Sequence, residues 1–495
     1  MKKTVNIKQE LLIFFIIFLI SMIIFIPFLK PHFSTDSYYI ANKGYENYVI
    51  NNSLKDGRIF MAALGYIAEL IHIPINAYII ILTIFALITN CITVIILKNS
   101  ILQYKNSKKA IIELFVTFIS YFTIFNFMYI ENMLFVECFV MSLSILFYML
   151  AARVLINKNK FYIIKTLILV AFGVLGYQGT ISMYLVSLLV FSLLKNGDYK
   201  QIIKDLFIGG LILIFGVLFQ MLVIKFSEKT FGVQQVRANG LRSLPTNAIR
   251  TLMSLKNIIT YTGFVYTKYL YIAFILILEI FIVIKAYKDK LSNTFLINQF
   301  LIVIFSILFG LSVSFISMSG FWSARIRYSI GTTIGFLLLY LYCKTDLIEN
   351  IRKDNLLIIV TFCVYALSIV INYICIMINT LNVNYKDEQM AIEIINYVQN
   401  YEQKNNVVVD NLVVFPGCFE SKGFYKELKY YNSVLSWSSI RTEWSIEGTL
   451  EMYSNREFNL VEPVQDKISY YIDNVDKDRD YMCIDNTLYV SYYIN

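Results

Sequence analysis

The hydrophobic positions of this chain fall in long unbroken blocks, not in the short alternations of a soluble fold. Leu11 to Leu29 (LLIFFIIFLISMIIFIPFL) and Ile75 to Leu97 carry no charged side chain. Each is long enough to cross a bilayer core of roughly 30 Å as a helix. The first block exceeds the apolar core of a signal peptide and lacks a small-residue cleavage site, so it reads as a retained span. Such blocks recur near 11–29, 75–97, 110–130, 133–155, 163–177, 180–195, 205–224, 263–285, 294–317, 328–343 and 355–379, which predicts about eleven transmembrane helices. The fifth and sixth are short and are broken by GYQG at 176–179.

Two stretches depart from this pattern. Residues 59–73 (IFMAALGYIAELIHI) are apolar but short, end at Pro74, and predict a helix lying in the membrane interface. After Thr380 the period changes. Residues 386–404 set Met390, Ile394, Ile395 and Val398 on one helical face, and 406–415 and 482–494 read as strands rich in Val, Ile and Tyr. The pattern therefore predicts an all-α polytopic membrane domain over 1–379 and a small α/β domain over 380–495. Composition agrees: 58% of residues are hydrophobic and 16% charged, against about 25% charged in a soluble domain.

Charge gives the orientation. Lys2, Lys3 and Lys8, then Lys98, Lys105, Lys108 and Lys109, then Arg153, Lys158 and Lys160 mark alternate connections, and the pattern continues through Lys195, Lys200 and Lys204, Lys285, Lys288 and Lys290, and Lys344, Arg352 and Lys353. The turns at 131–132 and 177–179 have no Lys or Arg. The positive-inside rule places the N-terminus inside, and the first outer loop (30–74), an outer loop at 225–262 and the C-terminal domain outside. The net charge of +9 follows largely from this bias and favours anionic lipid as a partner, not nucleic acid. The abundance of Ile, Asn, Lys and Tyr fits an AT-rich bacterial genome, hence a bacterial plasma membrane.

Several chemistries find no support. His32 and His72 are the two histidines, with no Cys/His spacing for a metal. No P-loop, GxSxG elbow or dinucleotide fingerprint occurs, so no cofactor is expected. A divalent metal beside the acids is compatible with the sequence but not demanded by it. Cys418 and Cys483, the cysteines outside the membrane blocks, leave their pairing open.

The candidate residues gather at the outer ends of the spans. Asp36, Glu46 and Asp56 lie in the first outer loop. Asp36 follows the first span closely and sits beside Tyr38 and Tyr39, where desolvation favours a carboxylate that accepts a proton. The other reading makes it the cap of a helix start. Asp56 precedes Gly57-Arg58 and suits a pair with Arg58. Glu131 and Glu137 stand at the outer end of the third and fourth spans, as orienting acids or as members of an ion pair. Glu113 reads as the partner of Lys109. Outward-facing arginines suit a phosphate because the guanidinium donates two parallel bonds. These are Arg237, Arg242 and Arg250 in the 225–262 loop, and Arg325 and Arg327 in SGFWSARIRYSIG, with Arg58 as a further candidate. Gln178 could bond a sugar hydroxyl or satisfy backbone freed by the break in the helix.

The order Asp36-Ser37-Tyr38, Gly44-Tyr45 and Asp56-Gly57-Arg58 opening an apolar helix resembles the first outer loop of the GtrII family of glucosyltransferases. The run from Glu131 through Glu137 into SLSILFYMLAA, and GYQGTISMYLVSLLVF at 176–191, resemble the same family. The resemblance implies a GT-C-like fold and transfer of a hexose, glucose by analogy, from a polyprenyl-phosphate carrier to a cell-surface or lipid-linked polysaccharide. For such a transfer the residue chemistry suits inversion with Asp36 as base, and Glu46, Glu137 and Glu131 as further acids. Arg325, Arg327, Arg58, Arg242 and Gln178 would contact substrate. One departure stands out: many GT-C enzymes carry adjacent acids in this loop, whereas Ser37 follows Asp36 here. The alternatives are a glycan polymerase, a lipid-linked saccharide flippase or transporter, and a ligand-binding sensor.

Overall fold

The computed structural model describes residues 7–105, 110–195, 198–233, 244–253, 269–316, 323–346, 353–416, 438–454, 456–476 and 479–492. Among these, nine helices are long and apolar enough to cross a membrane, so the chain has the build of a multi-pass membrane protein. They are Ile7–Ile24 (α1), Ile75–Leu102 (α4), Cys138–Asn157 (α6), the segment 178–195 that includes Ser182–Lys195 (α8), Tyr199–Phe231 (α9), Leu270–Lys288 (α11), Asn293–Gly310 (α12) continuing toward Phe315, the segment 324–344 that includes Tyr328–Lys344 (α14), and Lys353–Asn405 (α15). Ala110–Ile124 (α5) and Tyr162–Gly176 (α7), also expected as spans, are apolar helices of 15 residues each, or about 22 Å.

The bundle has two poles. At one, buried Lys98 near the end of α4 bridges Glu10 (2.7 Å) and Glu113 (3.0 Å), tying α1 and α5 to α4. Glu113 thus pairs with Lys98; Lys109, its expected partner, lies outside the described residues. The candidate acids collect at the opposite pole, where α1 and α5 end and α4 and α6 begin.

The boundary expected at 379/380 falls inside one helix. α15 runs unbroken for 53 residues, and its sequence contains neither Gly nor Pro to stop it. At 1.5 Å per residue it is about 80 Å long, so its second half must stand beyond a bilayer core of roughly 30 Å. That half carries the C-terminal domain, a four-stranded sheet of order β2-β1-β4-β3. Asn411–Pro416 (β1) lies parallel to Asn459–Leu460 (β2) and to Thr487–Tyr492 (β4), which forms a hairpin with Tyr481–Ile484 (β3). The expected strand 406–415 starts later, at Asn411, and the expected strand 482–494 is this hairpin. Alternation along β1 sends Leu412 to Ile394, Val398 and Leu450 on one face, and Val413 and Phe415 to Tyr471 on the other. Burial on both faces explains its nearly continuous apolar run. Cys483 is a free buried thiol in β3; Cys418 lies outside the described residues.

This domain is clamped to the loop that follows α1, residues 30–74. Ile446–Ser454 (α16) packs on Thr35–Tyr48 (α2), the helix that begins with the Asp36 turn. Lys43 pairs with Glu447 at 2.7 Å, Tyr38 meets Tyr453 at 3.2 Å, and Asn384 of α15 makes two 2.8 Å bonds to the Phe33 backbone. A Cβ on Gly448 would lie 2.3 Å from the Tyr38 carbonyl oxygen, which is backbone and cannot turn aside. Gly448→Ala should therefore lever α16 off α2 at a cost of about 1–3 kcal/mol, read as faster limited proteolysis after residue 405. Unchanged cleavage would show that the clamp is not needed to hold the domain.

A second clamp senses pH. Asp387, on the extramembrane half of α15, is fully buried and accepts bonds from Ser438 and from the Ser439 amide at 2.8 Å. Burial pushes its carboxyl up to about 7, against the pull of Ser438, the backbone amides and Arg441. Between the ordinary carboxylate range and about 7 the folded form holds a proton that the unfolded form releases, so stability falls as pH rises through that window and levels off above it. Tyr38, Tyr453 and Glu388 also surround this point. Protease resistance of the domain should accordingly be higher at pH 5 than at pH 8, and Asp387→Asn should flatten the difference. A pH response that survives Asp387→Asn would move the sensor elsewhere.

Candidate active site

Three short segments converge at the pole opposite Lys98. The first is the turn Asp56-Gly57-Arg58, which leads into the helix Ile59–Leu70 (α3), the apolar helix expected there. Gly57 holds φ +71° with Ile224 and Gln220 of α9 pressed against its Cα, so a side chain would be both strained and obstructed. The Asp56 carbonyl accepts from Gln178 Nε2 (2.5 Å) and Gln220 Nε2 (2.9 Å). Gln178 thus braces a neighbouring turn through its amide nitrogen.

This bracing aims Arg58 inward. Its Nη1 donates to both Glu137 oxygens (2.7 and 2.9 Å), its Nη2 lies 3.3 Å from Asp56, and its guanidinium sits 5.2 Å over the Tyr177 ring. Tyr48 adds a 3.1 Å bond to Glu137. Burial works against the Arg58 charge, but Glu137 and Asp56 outweigh it and hold the guanidinium above its ordinary range. Arg58 is therefore already forked to a carboxylate, and Glu137 is its buried partner.

The second segment is the turn Tyr129–Leu134, which carries Glu131, fully buried. Its Oε2 accepts from the Ala324 amide (2.6 Å) and the Arg325 amide (3.3 Å), and its Oε1 is 3.8 Å from Arg325 Nε. Burial raises the Glu131 pKa, and Arg325 and these amides pull the other way. The ring nitrogens of His32 lie 3.1 Å from the Lys30 and Met133 carbonyls, fixing the first outer loop to this turn.

The third segment, Ala324–Arg327, opens the span that ends in α14. Arg325 lies 3.9 Å over the Phe135 ring and is 17% exposed. Tyr177, Glu131, Asp36 and Glu137 all act electrostatically on it. Arg327 is 2% exposed and is influenced by the same Glu131.

Asp36 stands in the first turn of α2, half-buried. The cap itself is Ser34, whose side chain and that of Ser37 form a reciprocal capping box. Asp36 is thus spared the capping role; it sits favourably at the positive end of the helix dipole and acts electrostatically on Arg325.

The structure brings Asp36, Asp56, Arg58, Glu131, Glu137 and Arg325 to one place. Glu46 is exposed on α2, and Arg250 is exposed on Leu244–Met253 (α10). Arg237 and Arg242 lie outside the described residues. Tyr48, Phe135, Tyr177 and Gln220 belong to the site without having been singled out by sequence; GYQG was the one visible signal, and within it Tyr177 does more than Gln178. Among the described residues no group of three or more His, Cys, Asp or Glu is placed to hold a metal ion. Comparison with protein-family models, with curated proteins and with solved structures finds no match.

Proposed function

We propose that this chain is a GT-C-like membrane glycosyltransferase of about eleven spans. Its N-terminus lies inside and its C-terminal domain outside a bacterial plasma membrane, and it moves a hexose, glucose by the GtrII resemblance, from polyprenyl phosphate to a surface or lipid-linked polysaccharide. The observation that supports this reading most is the gathering of Asp36, Glu131 and Glu137 around Arg325 at one pole of the bundle.

Asp36 takes the proton of the acceptor hydroxyl while that oxygen bonds to the anomeric carbon. The bond from that carbon to the phosphate oxygen breaks, its electron pair stays with polyprenyl phosphate, and configuration inverts. Arg325 stabilises the leaving phosphate. It suits this better than Arg58, whose Nη1 is taken by Glu137 and whose Nη2 faces Asp56. Glu131 orients Arg325 through two backbone amides; Glu137 and Asp56 orient Arg58.

The test supplies purified protein with polyprenyl-phosphate glucose and the host's lipid-linked glycan. Transfer with inverted anomeric configuration is expected. Absence of transfer from every polyprenyl-phosphate hexose would sink the reading.

One observation favours transport instead. Glu279 lies midway along α11, 9% exposed, and neither carboxylate oxygen has a hydrogen-bond partner among the described residues. Intramembrane acids mark proton or substrate paths. The candidate acids are expected to gather at the outer ends of the spans, and Glu279 is a buried acid away from those ends. Loss of lipid-linked saccharide translocation in Glu279→Gln, with transfer intact, would turn the reading toward a flippase.

A further inference from the structure

The C-terminal domain holds a cavity that the transfer chemistry does not use. It measures about 510 Å³ and is lined by Gln389, Met390, Ile392 and Glu393 of α15, by Arg441, and by Arg479, Asp480 and Tyr481 at the start of β3. This volume lies within the range of small-ligand sites, roughly 300–1,000 Å³. The elements converge for reasons already given: α15 continues past the bilayer to present Gln389 and Glu393, one turn apart on the same face, and the β3–β4 hairpin brings Tyr481 against them.

The lining mixes apolar surface from Met390, Ile392 and Tyr481 with balanced charge. Glu393 and Asp480 face Arg441 and Arg479. Arg441 pairs with Asp480, and Tyr481 donates to Glu393 at 2.7 Å. The Arg479 guanidinium lies over the Tyr397 ring, 5.6 Å from its centroid, and the aromatic ring that lines the cavity itself is Tyr481. A cavity with equal numbers of opposite charges repels neither sign and offers no net attraction to an ion. What it offers instead is a dense set of fixed donors and acceptors, including planar guanidinium and carboxylate groups that each bind two neighbouring hydroxyls. Aromatic rings beside such groups suit the apolar face of a sugar ring.

We propose that this cavity is a binding site for a short neutral saccharide. It is separate from the cluster around Arg325. Asn384, which holds Phe33 of the first outer loop, lies on the same helix as Gln389 and Glu393; five to nine residues of helix separate them, roughly 7–14 Å along its axis. A glycan chain held in the cavity would therefore be tethered close to the pole where Asp36 stands. The proposal concerns binding alone, and it stands or falls whether or not Asp36 catalyses transfer.

The experiment titrates the detergent-purified full-length Asp36→Asn protein, so that no turnover intrudes, with maltotriose, cellotriose and rhamnotriose, and with trigalacturonic acid as the charged comparison, read by saturation-transfer NMR and calorimetry. At least one neutral trisaccharide should bind, and the acidic one should bind no more tightly. Arg479→Ala and Glu393→Gln should each weaken that binding by about tenfold, the worth of a hydrogen bond to a charged group. Arg479 is exposed, so its removal leaves the fold intact and the test readable. No saturation transfer from any neutral trisaccharide at roughly 10 mM, binding indifferent to both substitutions, or preference for the acidic trisaccharide would each overturn the proposal.

Discussion

Replacing Glu137 by alanine should cost about 3–5 kcal/mol of stability, because it strands the Arg58 guanidinium in a buried site with its main counter-charge gone. Asp56 remains at 3.3 Å, but it cannot replace the two bonds of 2.7 and 2.9 Å that Glu137 accepts from one Arg58 nitrogen. Glu137→Gln keeps the shape and loses the charge, so it should fall between. The measurement is the thermal midpoint of the detergent-solubilised protein, followed by monodispersity on heating. A double-mutant cycle with Arg58→Ala isolates the pair, since removing both partners should cost less than the sum of the two single losses. Single variants as stable as the parent would mean that the pair is ornamental and that Arg58 is free to serve a ligand.

Asp36→Asn carries the other large effect. A positioned general base contributes about 10²- to 10⁴-fold, and asparagine keeps the size of the side chain while being unable to take the acceptor proton. Transfer by purified protein should drop by that factor. The thermal midpoint should stay near the parent's, because the helix start is capped by Ser34 and Ser37 and not by Asp36. Equal loss of stability and activity would instead mark Asp36 as a structural acid.

The contrast between Asp36 and Glu137 shows what a sequence can carry. Apolar blocks reveal spans because the bilayer sets their length, and each of the expected blocks has a helix in the structure. The Arg58–Asp56 pair was legible because its members are two residues apart. The Arg58–Glu137 pair was not, because 79 residues separate them and packing alone decides which carboxylate Arg58 meets. Gln178 was visible as a polar residue in a helix break, but its partner, the Asp56 carbonyl, is 122 residues away. Backbone acceptors leave no trace in composition. The continuity of α15 had a signal, the absence of Gly and Pro from 353 to 405, which the polar stretch around 382–388 obscured. Glu279 had one too, as the only charged residue between Lys268 and Lys285, and its burial gives it meaning only once its neighbours are known.

The most direct test of the transferase reading compares purified surface glycan from three strains: the parent, a deletion of the gene, and the deletion carrying Asp36→Asn at matched expression. Loss of one side-branch hexose in the deletion, left unrestored by Asp36→Asn, is the result expected, and the missing sugar would identify the donor. Full restoration by Asp36→Asn, or whole chains shortened without any change in sugar composition, would contradict it.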